Sequence, residues 1–207
     1  GLAVLLVLAG IAPAGADGGH RGKQSKRKLL DLSGLVWIED DLFLAVSDAK
    51  RPDENKLTRV SLLTLPSSLD GIGFRPLSPR FPGGLSSDFE SATGIPGSKK
   101  LLLAESGGAD GGFQRIFLAK VVGKRIDRKR VRILDKVEWG SFTEVNNVEA
   151  TAVAQTDTGS GLIFIWAERN SGMQSTTINW ADLNLHPFEI GRQFVKSVPF
   201  TLPDDLV

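Results

Sequence analysis

Carboxylates recur along this chain at intervals that could bring them to one place. Glu90 and Glu149 each follow a similar pair, Asp88-Phe89 and Asn147-Val148, and each precedes a small residue. Ser33 holds the same place after Asp31-Leu32, so the offsets between the three are 57 and 59 residues. A second set, Asp48, Glu105 and Glu168, stands at the ends of three hydrophobic runs, Leu42 to Ser47, Leu101 to Ala104 and Phe164 to Ala167. Carboxylates brought together repel one another and lose solvation, and a hard cation such as Ca²⁺ relieves both costs through oxygen ligands. Glu90, Glu149 and Asp88 are therefore the candidate metal ligands, and Asp48, Glu105 and Glu168 candidate acids at the mouth of the same site. Arg59, Arg115 and Arg169 are the candidate contacts for an anionic substrate. Plainer roles fit the same residues: a recurring strand glutamate can accept neighbouring backbone N–H groups, a strand-end acid can be a solvated turn, and an arginine can be one half of a surface ion pair.

Composition removes other chemistries. The 207 residues contain no Cys and two His, which excludes disulfides, thiolate metal sites and cysteine nucleophiles and leaves little for a His-built zinc site. No Gly-x-Ser-x-Gly phrase occurs, and His186 precedes Pro187 in a turn-like stretch, so a serine-hydrolase triad lacks a base. His20-Arg21-Gly22 stands without the rest of a histidine-phosphatase motif. The Gly107 to Gly112 stretch has no helix pattern after it and reads as a loop, not a phosphate-binding P-loop. Lys+Arg 25 against Asp+Glu 24 is not the balance of a nucleic-acid binder.

Residues 1–16 read as the end of a signal peptide lacking its own N-terminus: an uncharged apolar run from Leu2 to Ala12, then Pro13 and Ala14-Gly15-Ala16. That run is too short to span a bilayer, and no later segment offers an integral span. Residues 17–30 form a basic, Gly-rich leader. Without its five cations and Asp17, 20 basic residues face 23 acidic ones, so the body is slightly acidic. Export to a bacterial periplasm or beyond is the expectation.

The elements that must position the acids follow from a repeat in the body. Each unit has the acid-bearing phrase, then the hydrophobic run, then a third strand (Leu57 to Leu65, Phe113 to Val122, Thr176 to Leu185) and a fourth (Phe74 to Leu77, Arg130 to Val137, Gln193 to Thr201). Short Leu-rich, β-branched and aromatic runs between turn residues, without helical periodicity, make the fold all-β. Four strands per unit of about 58 residues is the pattern of propeller blades. Residues 31–207 then form a partial β-propeller, with repeats near 31–87, 88–146 and 147–204, in a ring that needs at least about four blades to close. Ser33, Glu90 and Glu149 fall on the innermost strand of each blade, where equivalent positions converge on the central channel. Trp37, Trp139, Trp166 and Trp180 read as packing between blades.

Leu32-Ser33-Gly34-Leu35 with Leu44-Ala45-Val46-Ser47-Asp48, and Asp88-Phe89-Glu90 with Leu102-Leu103-Ala104-Glu105-Ser106, resemble phrases of the secreted propellers known as esterase-like activity of phytase. The SdiA-regulated propellers are similar. The resemblance covers about Leu30 to Leu185. It implies a bacterial secreted propeller of about six blades and a calcium-assisted phosphoester or ester hydrolase, whose partner is a phosphorylated or ester small molecule. A non-catalytic secreted binding or scaffold propeller fits the same fold, because fold does not decide function. Asp205-Leu206-Val207 resembles the opening of a fourth repeat, which reads as an N-terminal fragment of a longer ring.

Overall fold

The computed structural model describes residues 32–48, 59–65, 72–86, 88–107, 113–143, 147–157, 159, 161–169, 175–191 and 196–201. The signal-peptide and leader expectations, Asp31, most of the Gly107 to Gly112 loop and the 202–207 stretch lie outside these residues. The described chain is all-β. Strands β1 (Leu32–Glu39), β2 (Leu42–Ser47), β3 (Val60–Thr64) and β4 (Gly73–Leu77) form the first antiparallel sheet in sequence order. The second is β5 (Phe89–Gly94), β6 (Lys100–Glu105), β7 (Arg115–Val122) and β8 (Arg130–Glu138), again in order. The third runs β9 (Val148–Gln155), β10 (Leu162–Arg169), β11 (Ser175–Leu185), whose far edge is shared by β12 (Phe188–Ile190) and β13 (Lys196–Thr201). Among the described residues no helix is long and apolar enough to cross a membrane.

The sheets pack face to face in chain order, and the side-chain pattern shows why. Alternate residues of a strand point to opposite faces. Leu44, Val46, Val60 and Leu62 of the first sheet meet Leu101, Leu103, Phe117 and Ala119 of the second in one core. Leu102, Ala104, Ile116 and Leu118, on the reverse face, meet Phe164, Trp166, Ala181 and Leu183 of the third in another. The middle sheet is thus covered on both sides. That is why Leu101-Leu102-Leu103-Ala104 and Ile116-Phe117-Leu118-Ala119 are unbroken apolar runs instead of alternating ones. Each fully buried Leu or Phe there contributes about 1.5–3 kcal/mol. Aromatic clusters fill both cores: Phe81, Phe89 and Phe117 in the first, and Trp139, Phe142, Phe164 and Trp166 in the second.

Trp139 and Trp166 therefore pack between sheets as their sequence setting implies. Trp37 does not: it is 62% exposed on β1. It faces away from the first core on the same side of the sheet as Phe43, Leu63 and Phe74, its register partners across the four strands.

The first strands are neighbours, β1 beside β5 and β5 beside β9. Gly34 permits the first approach. A Cβ there would sit 2.7 Å from the Ala92 nitrogen and 2.7 Å from Val46 Cγ2. Ser33 Oγ donates across the same seam to the Phe89 carbonyl.

Candidate functional site

One irregularity recurs in all three sheets. Leu32 pairs with Ser47 and Gly34 with Val46, leaving Ser33 as an extra residue on β1. Phe89 pairs with Glu105 and Ser91 with Ala104, leaving Glu90 extra on β5. Val148 pairs with Glu168 and Ala150 with Ala167, leaving Glu149 extra on β9. A bulge re-aims the extra side chain relative to the ladder. Ser33, Glu90 and Glu149 are thus structurally equivalent, with the offsets read from the sequence.

The second set of acids aligns differently from the sequence reading. The bulges make Val46, not Ala45, the counterpart of Ala104 and Ala167, so Ser47 is the equivalent of Glu105 and Glu168. Asp48 corresponds to Ser106 and Arg169. A slip of one residue exchanges the faces of a strand, and Asp48 consequently leaves the set to which its spacing assigned it.

Asp48 instead joins Asp88 and Glu90. One carboxylate oxygen from each lies within 4.8 Å of the others, and all three side chains are half-buried. Asp48 follows β2 of the first sheet, Asp88 precedes β5 of the second, and Glu90 is its bulge. Asp88 has φ of 54°, in the left-handed region, which costs an L residue about 1 kcal/mol and which Asp tolerates better than most. Ser106 holds it there: its N–H donates to the Asp88 carbonyl at 2.9 Å, and its hydroxyl donates to Asp88 Oδ2.

Glu149 is not in this group. Its Oε2 takes Arg169 Nη2 at 2.9 Å and its Oε1 takes Asn147 Nδ2 at 2.6 Å, so a candidate ligand and a candidate anion contact neutralise each other on the surface. Glu168 Oε1 accepts from Trp166 Nε1 and from Asn179 Nδ2, each at 3.0 Å.

Glu105 is fully buried, with 0% exposure, where the sequence allowed a solvated strand end. Its Oε2 accepts from the Arg115 backbone N–H at 2.9 Å and from Arg115 Nε at 3.0 Å. Its Oε1 accepts from Arg115 Nη2 at 2.8 Å and from Ser86 Oγ at 2.5 Å. Arg115 also donates from Nη1 to Pro82 O at 3.2 Å and from Nη2 to Leu85 O at 2.7 Å, with its guanidinium 5.1 Å from the centre of the Phe117 ring. Arg59, which occupies the same place in the first sheet, donates from Nε to Ser86 O at 3.4 Å. Arg59 and Arg115 thus grip the connection between the first two sheets.

The sequence pattern points to Asp88 and Glu90 as ligands and to Asp48 as an acid at the mouth of the same site, but groups Asp48 with Glu105 and Glu168 and gives no role to Ser86 or Ser106. The available signal was Ser106 directly after Glu105, but its meeting with Asp88 depends on β5 and β6 being paired with a bulge.

The donor set of Asp48, Asp88 and Glu90 is all oxygen and formally carries three negative charges. It suits a hard cation better than zinc or copper. With one carboxylate oxygen from each within 4.8 Å of the others, the three are close enough to contact one cation. Three carboxylates would provide part of the six to eight oxygens that Ca²⁺ takes.

No protein-family model matches the chain, and no curated protein matches it. Among solved structures it resembles one from Bifidobacterium bifidum s17 described as a "putative exo-beta-1,3-galactanase", with 16% identity and a TM-score of 0.42. The match covers 78% of this chain and 50% of that one, so the chain spans half the length of the structure it matches.

Proposed function

We propose that the three sheets are consecutive blades of a β-propeller and that Asp48, Asp88 and Glu90 bind Ca²⁺ in support of a phytase-like phosphoester or ester hydrolase. The observation that carries this reading is the meeting of three carboxylates from two sheets within 4.8 Å. Three antiparallel units, two of four strands and one of five, with adjacent first strands and an equivalent bulge in each, support the propeller. The acids lie at that inner seam. Bound there, Ca²⁺ would neutralise phosphate charge and lower the pKa of a bound water. The chain's own residues would hold the ion through Asp48, Asp88 and Glu90, and Ser106 would orient Asp88. A secreted or periplasmic location belongs to the same proposal and rests on the signal-peptide pattern of residues 1–16.

A non-catalytic binding or scaffold propeller is the second reading. It draws support from Arg115 and Arg169, two of the candidate anion contacts, whose guanidinium groups are engaged by Glu105 and Glu149.

The test is calorimetric Ca²⁺ titration of the chain and of Asp48→Asn, Asp88→Asn and Glu90→Gln, followed by assay on phytate and p-nitrophenyl esters. The metal reading expects saturable binding that each of these substitutions weakens and that Glu149→Gln leaves in place. Binding without turnover would select the non-catalytic reading. Absence of binding by the wild-type chain would overturn the metal site.

A further inference from the structure

We infer that Arg115 and Glu105 are positioning residues, a buried clamp that fixes the connection between the first and second sheets and so sets Asp88 against Asp48 and Glu90. The inference rests on the cation reading for its functional meaning, while its structural content stands apart from it.

The argument starts from what a connection between sheets lacks. Residues 78–86 are irregular, with no ladder to hold them, and Gly83 and Gly84 both have positive φ. Such a segment samples many conformations unless side chains hold it. Here the carbonyls of Pro82, Leu85 and Ser86 and the hydroxyl of Ser86 are all taken up by Arg115, Arg59 and Glu105. Arginine suits this work because its donors form a rigid planar fork, which lets one side chain meet a carboxylate and two separate carbonyls at once. Glu105 is what aims that fork, since it receives two of its side-chain nitrogens and the backbone N–H of the same residue.

The clamp reaches Asp88 at two places, Ser86 two residues before it in sequence and Ser106 across from it at the end of β6. Ser106, the neighbour of Glu105, holds the Asp88 carbonyl and carboxylate. Ser106 also accepts at its carbonyl from Val148 N at 2.8 Å, which ties the same point to the third sheet. Glu105 further anchors through its own carbonyl, which accepts Trp139 Nε1 at 3.0 Å in the second core. A single buried ion pair therefore links two cores, one inter-sheet connection and one arm of the acidic group. Groups placed behind metal ligands in this way commonly change metal affinity by about 10- to 100-fold when altered.

The Ser106 amide reports on the clamp, because it donates to Asp88 O. Amide exchange is measured on metal-free wild-type protein and on Arg115→Lys, which keeps the charge and loses the fork. The clamp predicts exchange at Ser106 about tenfold faster or more in Arg115→Lys, while the Leu102 and Leu118 amides within β6 and β7 stay protected. Ca²⁺ affinity should fall by about 10-fold or more in the same variant. A loss of stability without a positioning role would speed Ser106, Leu102 and Leu118 together, and that result overturns the inference. So does unchanged exchange at Ser106 in folded Arg115→Lys, or wild-type Ca²⁺ affinity in that variant. Should Arg115→Lys fail to fold, Ser86→Ala, which removes one hydrogen bond to Glu105, is read in the same way. Absence of Ca²⁺ binding by the wild type would end the cation reading, and the exchange pattern would then decide the clamp alone.

Discussion

The hydroxyls of Ser91 and Thr151 lie 2.8 Å apart, joining β5 to β9, and Ser91 Oγ also accepts the Thr151 backbone N–H at 3.0 Å. The two residues are 60 apart in sequence. They close the seam between the second and third sheets with polar atoms, as Ser33 does between the first and second. Ser91→Ala removes the hydroxyl that accepts the Thr151 N–H, and should cost about 1–2 kcal/mol in urea unfolding. Thr151→Val leaves that acceptor in place and should cost less. Equal losses, or a reversed order, would show that the backbone contact does not hold the seam.

Gly34 is set by space, not by its own φ. Gly34→Ala would push Cβ against the backbone of Ser91 and Ala92 at 2.9 and 2.7 Å, contacts that no rotamer can relieve. The expected loss is about 1–3 kcal/mol. Gly140→Ala, with nothing within 4 Å of the added atom, should change stability by less than about 0.5 kcal/mol. Chemical denaturation of the pair checks this.

Arg115 and Glu105 should behave as a coupled unit. Glu105→Leu or Arg115→Met alone strands a buried charge and should destabilise by about 3–5 kcal/mol. The double variant removes both charges and should lose clearly less than the sum of the singles. Additive losses in a double-mutant cycle would mean that the pair contributes through packing alone.

Glu138 has its carboxyl held below the ordinary glutamate value. The Lys136 ammonium does this first by a hydrogen bond and then by its charge; slight burial opposes the shift, and the Arg115 charge adds to it. A depressed carboxyl contributes stability above its unfolded pKa and loses it as pH falls through the folded value. Glu138 is 59% exposed, so solvent limits the contribution to about 0.5 kcal/mol. Glu138→Gln should therefore lose a little stability at neutral pH and match the wild type once the pH has fallen below the folded value. A difference that grows toward acid would reverse the sign and refute the assignment.

Much of the fold was legible in residue pattern. The apolar runs from Leu101 to Ala104 and from Ile116 to Ala119 mark strands covered on both faces, and β6 and β7 are so placed. The offsets of 57 and 59 residues among Ser33, Glu90 and Glu149 are the spacings of the three bulges. Those are local signals, because strand formation and the burial of successive side chains depend on residues a few positions apart.

The candidate site was legible only in part. Asp88 and Glu90 stand two residues apart and were found together. Asp48 was assigned to the wrong register because Ala45, Ala104 and Ala167 look alike, although the ladder pairs Val46 with Gly34 as it pairs Ala104 with Ser91. Glu105 and Glu149 carry the same charge and similar settings, yet one is buried under Arg115 and the other pairs with exposed Arg169. Residue order is enough to specify an all-β chain of three like units with acids at fixed places in them. Which acids meet is settled by the folded packing, since that depends on register and on the contact of one sheet with the next, where a shift of one residue turns a side chain to the opposite face.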